Sequence, residues 1–174
     1  DPALTYSITT GALIGTDAFT GSLTRDAGEA FGTYGIKQGT ITLNSNYDLT
    51  YASADLTIGK KSITITAAAK SKTYGEADPA LTYSVTTGAL IGTDAFTGSL
   101  TRDAGEAFGT YGIKQGTVAL NSNYNLSYVD AFLTITKISI TITAATKSKT
   151  YGEADPALTY SITTGALTGT DAFT

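Results

Sequence analysis

Cysteine, methionine, tryptophan and histidine are all absent from the 174 residues, and proline occurs only three times. Without cysteine or histidine there are no disulfides, no thiolate or imidazole metal sites and no histidine acid–base chemistry. Charge of one sign never gathers either. The 11 basic and 15 acidic residues are scattered and leave a net charge of −4, which gives no electrostatic footprint for nucleic acid or for an anionic membrane. No apolar run approaches the ~20 residues of a membrane-spanning helix. A chain free of cysteine suits an oxidising, extracellular setting, although many cytosolic domains also lack it.

The three prolines are the first positive sign. Each follows an aspartate, in Asp1-Pro2, Asp78-Pro79 and Asp155-Pro156, and the interval is 77 residues both times. The stretch Lys70-Ser71-Lys72-Thr73-Tyr74-Gly75-Glu76-Ala77-Asp78-Pro79 returns from Lys147 onward, and its end opens the chain. Residues 1–97 and 78–174 differ at only 13 of 97 positions, eight of them between 41 and 59. A fixed long period makes each repeat one folded unit and assigns function to the array. The expected organisation is a partial repeat at 1–59 lacking its first strand, a complete repeat at 60–136, and a partial repeat at 137–174 holding only the first strands. A chain that opens at Asp1 in the middle of a repeat reads as an excerpt of a longer protein. Near-identical copies argue against an active site peculiar to one of them, and favour length or valency as the product.

Within the complete repeat, Ser62-Ile63-Thr64-Ile65-Thr66-Ala67 alternates apolar and hydroxyl side chains, the period of a half-buried strand. Leu81 to Thr86 repeats the pattern, with Leu81, Tyr83 and Val85 on one face and Pro79 just outside. Gly88 to Asp94 is too short and too glycine-bounded for a stable helix. Strands are further expected at Ala95–Arg102, Gly109–Lys114, Thr117–Leu120, Tyr124–Tyr128 and Leu133–Thr136, with turns at Asp103–Glu106, Gln115-Gly116 and Asn121–Asn123. The seams, Gly59-Lys60-Lys61 and Lys137, contain no flexible spacer, so neighbouring units should be restricted in orientation and the array stiff. Strands of roughly ten residues at about 3.3 Å each would let one unit add on the order of 30–40 Å.

Lys72-Thr73-Tyr74-Gly75-Glu76, Asp78-Pro79, Leu81-Thr82-Tyr83, Gly105-Glu106, Gly109-Thr110-Tyr111-Gly112-Ile113, Tyr124 and Leu133-Thr134-Ile135 together resemble the MBG domain of the YGX type, a tandem module of very large bacterial surface proteins and adhesins. The resemblance covers nearly the whole chain. It implies mainly β structure with little helix, as small β-grasp-like modules joined end to end, together with secretion to the bacterial cell surface and service as a stalk. It supplies no catalytic residues.

Several residues invite chemistry, and each has a plainer reading. Tyr74-Gly75 could form a ligand platform, but a packed tyrosine beside a glycine of positive φ accounts for it. Glu76, Asp78, Asp94, Asp103 and Glu106 could offer oxygen ligands to calcium, yet no DxDxDG loop is present and turn acids suffice. Glu29 and Glu106 stand in Gly-Glu-Ala-Phe without a second acid or base, which suits no acid–base mechanism. Lys61 and Asn125 are residue types that surface adhesins crosslink, but their equivalents Ile138 and Asp48 break the pairing. Gly-Thr-Tyr-Gly lacks the ending of a phosphate loop. The reading is a stalk or spacer segment of an extracellular adhesin, with no catalysis, cofactor or metal. The alternatives are a weak multivalent glycan- or partner-binding module and a segment of an extracellular filament. The expected partners are neighbouring repeats in the same chain and, through 138–144, a second copy head to tail. In a β-grasp-like module the first and last strands pair in parallel, so the strand around Leu56 would want the partner that Ile140 and Ile142 carry.

Overall fold

The structure, a computed structural model, describes residues 1–173 and consists of strands, turns and irregular segments, with no helix among them. No helix is long and apolar enough to cross a membrane. In chain order the strands are β1 (Thr24–Arg25), β2 (Gly32–Lys37), β3 (Ala54–Ile58), β4 (Lys61–Ala67), β5 (Lys70–Thr73), β6 (Tyr83–Thr87), β7 (Thr101–Arg102), β8 (Gly109–Lys114), β9 (Tyr124–Val129), β10 (Ala131–Thr136), β11 (Thr141–Ala144) and β12 (Tyr160–Thr164). The chain divides into two compact units, Asp1–Ser62 with Asn121–Asn125, and Ile63–Leu120 with Leu126–Thr174.

In the second unit a four-stranded sheet runs β5-β10-β8-β7 and a three-stranded sheet runs β6-β4-β9. The alternation read at 62–67 is what the packing uses: Ile63 and Ile65 are fully buried and Ala67 nearly so, while the threonines between them are half-buried. Ala67 meets Ile113, Leu133 and Ile135, and Tyr74, Leu81, Leu100, Tyr111 and Tyr128 pack around them. Each fully buried isoleucine or leucine contributes about 1.5–3 kcal/mol relative to an exposed one. The Tyr128 hydroxyl donates to the Ile113 carbonyl at 2.7 Å, so the aromatic enters the core with its polar end satisfied. Tyr83 meets Phe96 edge to face at 5.5 Å, and Tyr160 meets Phe173 at the same distance.

The strand pairing departs from expectation in one instructive way. The parallel partner of the last strand is β5, in register Leu133 with Lys70 and Ile135 with Lys72, whereas β4 lies between β6 and β9. Lys70–Thr73 was not foreseen as a strand, because two lysines in four residues hide the alternation that sets Lys72 inward. Elsewhere the boundaries moved. Leu81–Thr86 becomes β6 from Tyr83, with Val85 exposed. Ala95–Arg102 and Thr117–Leu120 shrink to β7 and a single bridge between Thr97 and Ala119: Gly98 takes positive φ inside the first run, and the turn at Gly116, also of positive φ, extends into the second at Thr117.

The first unit has a three-stranded sheet, β1-β2-β3, in the register of β7-β8-β10. Its Tyr51 hydroxyl donates to the Ile36 carbonyl at 2.7 Å, as Tyr128 does to Ile113, and Tyr6 meets Phe19 edge to face at 5.1 Å. Yet residues 6–10 and 47–52, which match β6 and β9, form no strands. Between them lies a cavity of about 640 Å³ lined by Tyr6, Ile8, Leu13, Tyr47, Leu49 and Tyr51 among others.

Candidate functional site: the Asp-Pro clasp and the repeat junctions

The Asp-Pro motif sits at a charge cluster. Lys72 on β5 has a side chain only 3% exposed, and its Nζ donates to Asp78 Oδ1 at 2.6 Å and to Glu106 Oε2. Arg102 on β7 donates to Asp78 through Nε at 2.6 Å and Nη2 at 3.1 Å, and to Glu106 through Nη2. Its Nη1 reaches the carbonyls of Asp103 and Gly105, and the guanidinium stands 5.5 Å from the Tyr111 ring centre. Burying Lys72 is tolerable because two carboxylates face it. Hydrogen bonds from Arg102 and then Lys72 hold the Asp78 carboxyl at about 2, below its ordinary 3.8. The same cations, Lys72 first, lower Glu106, and hydrogen bonding to Asp78 and then Glu106 raises Lys72. Carboxylates locked in the ionised state have no proton to give near neutrality, so the arrangement clasps β5 to the Gly-Glu-Ala-Phe turn.

In the first unit, Arg25 donates through Nε to Asp1 at 2.7 Å and through Nη2 to Glu29. In the last repeat, Lys149 pairs with Asp155 at 2.5 Å without the arginine and glutamate.

Four of the acids considered for calcium have carboxylates engaged elsewhere, Asp78 and Glu106 in the cluster above. Glu76 accepts from the Thr73 amide at 2.7 Å and Asp103 pairs with Lys114 at 3.3 Å. No group of three His, Cys, Asp or Glu among the described residues is placed to hold a metal ion. Lys61 and Asn125 are both exposed, and no hydrogen bond joins their side chains.

Two junction features went unforeseen. Lys60 stands over the Phe31 ring at 4.8 Å, and Lys137 stands over Phe108 at the same distance. In the first unit the Phe31 amide also donates to Asn123 Oδ1 at 2.8 Å, and the Asn123 carbonyl accepts from the Lys61 amide at 2.8 Å. The signal was in the sequence: Lys60 and Lys137 agree at a boundary where both neighbours, Gly59/Thr136 and Lys61/Ile138, have diverged. In the second unit, Tyr74, Phe108, Lys137, Ile140, Leu167 and Asp171 line a cleft of about 420 Å³. Hydrogen bonding to Asp171 and then its charge raise the Tyr74 phenol above 10.0. Gly75 has φ +87, and a Cβ there would lie 2.8 Å from Thr168 Cγ2, so both residues of the Tyr-Gly pair have packing roles.

A family model described as MBG domain (YGX type) matches residues 1–57, 63–134 and 140–174. The chain belongs to the MBG family. Its three matches are tandem segments, and the residues left between them, 58–62 and 135–139, contain Lys60 and Lys137. No curated protein and no solved structure matches the chain. The Tyr-Gly-Glu of this MBG chain occurs twice, and its surroundings differ: Tyr74 is half-buried against the core, whereas Tyr151 is fully exposed.

Proposed function

We propose that this MBG chain is a structural spacer from a bacterial extracellular surface protein, made of one complete repeat at 60–136 between partial repeats at 1–59 and 137–174, and that it performs no catalysis. The observation that carries this reading is the repeated junction, in which the same lysine–phenylalanine contact stands at both seams although the neighbouring residues differ. Only two residues separate β3 from β4, too few for a hinge of flexible chain. The charged residues of the Asp-Pro cluster are spent on one another, which suits a load-holding clasp and no acid–base step.

A multivalent binding module would need an exposed aromatic platform common to the repeats. The five tyrosines of 60–136 are all buried or half-buried, and Tyr6, Tyr151 and Tyr160, which are exposed, lie outside it. Phe132 is exposed, but its counterpart is Asp55; Phe31 and Phe108 are exposed and common to both repeats, and each ring is already covered on one face by a seam lysine, Lys60 or Lys137. A glycan array probed with a chain of four repeats is expected to stay blank, while antibodies to the repeats label intact cells that make the parent protein. Saturable glycan binding that survives dilution would replace the spacer reading with the binding one; labelling only after lysis would remove the surface assignment.

A further inference from the structure

In a spacer, the reading this inference rests on, tension along the array enters the repeat at Lys60 and leaves it at Lys137. The strands nearest those two points are paired. β4 runs into β5 after two residues and β9 into β10 after one; β4 is the neighbour of β9 in one sheet, and β5 is the parallel partner of β10 in the other. The β5–β10 register runs from Lys70 with Leu133 to Thr73 with Thr136. Two further bonds extend it, from the Tyr74 amide to the Thr136 carbonyl at 2.8 Å and from the Thr136 hydroxyl to the Lys72 carbonyl at 3.2 Å.

This pairing is loaded lengthwise. A pull at Lys137 draws β10 along its own axis toward its C-terminal end, whereas a pull at Lys60 reaches β5 through β4, from its N-terminal end. Parallel strands drawn in opposite directions slide, and their evenly spaced bonds resist together. A pair opened from one end instead loses its bonds one after another. On its other side β10 pairs with β8, from Ala131 with Ile113 to Ile135 with Gly109, so it is gripped between two strands.

A grip holds only if its two sides stay in place, and the charge cluster ties them. Lys72 belongs to β5 and Arg102 to β7, at the opposite edge of the same sheet. Asp78 and Glu106 each bond to both cations, and Glu106 stands in the turn that leads into β8. We propose that β5 and β10 form a mechanical clamp whose latch is the Lys72–Asp78–Arg102–Glu106 cluster, which ties β5 to the β7–β8 side of the sheet so that β10 yields to tension along the array only by sliding past both neighbours at once.

Optical-tweezers unfolding of the 174-residue chain tests this, because rupture under force reports the unfolding barrier. The chain has no cysteine, so introduced pairs set the direction of pull, and the four positions chosen are exposed. Gly59→Cys with Ser139→Cys loads the repeat from seam to seam. Lys114→Cys with Asp130→Cys pries β8 from β10 at the end where Ala131 meets Ile113, remote from the cluster. The seam-to-seam pull is expected to need a several-fold higher force. Asp78→Asn is expected to lower that force and to leave the prying force unchanged, and Lys72→Met, which fills the same buried space without the charge, to do likewise. Equal forces in the two directions overturn the clamp. A loss that is the same in both directions, or absent from both, overturns the latch. Either result leaves the spacer reading standing, since a spacer needs only length, whereas glycan binding by the repeats would remove that reading and leave the measured forces as they are.

Discussion

Ile65 and Ile142 occupy the same place in the repeat, and identical flanking residues, Ser-Ile-Thr before and Thr-Ala after, surround them, yet one is fully buried and the other half exposed. The contrast isolates packing from propensity. Ile65→Ala removes methyl groups from a site walled by β6 and β9 and is expected to destabilise the second unit by about 2–5 kcal/mol. Ile142→Ala, in solution dilute enough for the chain to be monomeric, should change stability by no more than about 0.5 kcal/mol. Urea unfolding of the two variants checks this, and equal losses would mean that burial is not what distinguishes them. At this scale the inward alternation of 62–67 was legible, as was Gly75, because both follow from covalent geometry. The burial of Lys72 was not, since a lysine is pulled inside only by partners, and Arg102 and Glu106 lie some thirty residues further on.

Among the elements, β5 is held at one end by the clasp and along its length by β10. Lys72 enters from β5, Arg102 from β7, and the two carboxylates bridge them. The sign of the pH dependence follows from Asp78. Its carboxyl sits at about 2 in the folded chain against 3.8 ordinarily, so its contribution to stability is complete above about pH 4 and is lost as pH falls toward 2. Asp78→Asn should therefore lower the urea midpoint at pH 5 and flatten its fall between about pH 4 and pH 2, with Glu106 supplying what slope remains. Parallel curves for the native chain and the variant would show that Asp78 is not held by the clasp. The strands β4, β8, β9 and β10 were readable from alternation and turn residues. The identity of the parallel pair was not, because β4 and β5 both precede the core and only long-range pairing decides which of them joins β10. Strand formation also depends on neighbours: residues 6–10, 47–52 and 147–150 form no strands although their counterparts β6, β9 and β5 do. Residues 147–150 are identical to 70–73 and 6–10 differ from 83–87 at one position, although 47–52 differ from 124–129 at three of six, so in the first two cases tertiary pairing outweighs β-propensity.

For the whole molecule, the 77-residue period is the most informative observation and needs nothing but the sequence. It gave the tandem plan; the family came from the resemblance carried by motifs such as Lys72-Thr73-Tyr74-Gly75-Glu76, and the mainly β fold from that resemblance and the period-two alternation. The function remained a choice among spacer, binder and filament, because repeats of one kind serve all three. The strands are shorter than the roughly ten residues expected. The longest, β4, has seven, or about 23 Å at 3.3 Å per residue, and the turns at either end bring each repeat to on the order of 30 Å. The central claim is that copies are added to gain length. Small-angle scattering of chains with two, four and six complete repeats, each beginning at Lys60, tests it most directly. The account predicts a maximum dimension that rises in proportion to repeat number, by on the order of 30 Å per copy; a dimension that rises only as the cube root of mass, as for a compact globule, would contradict it.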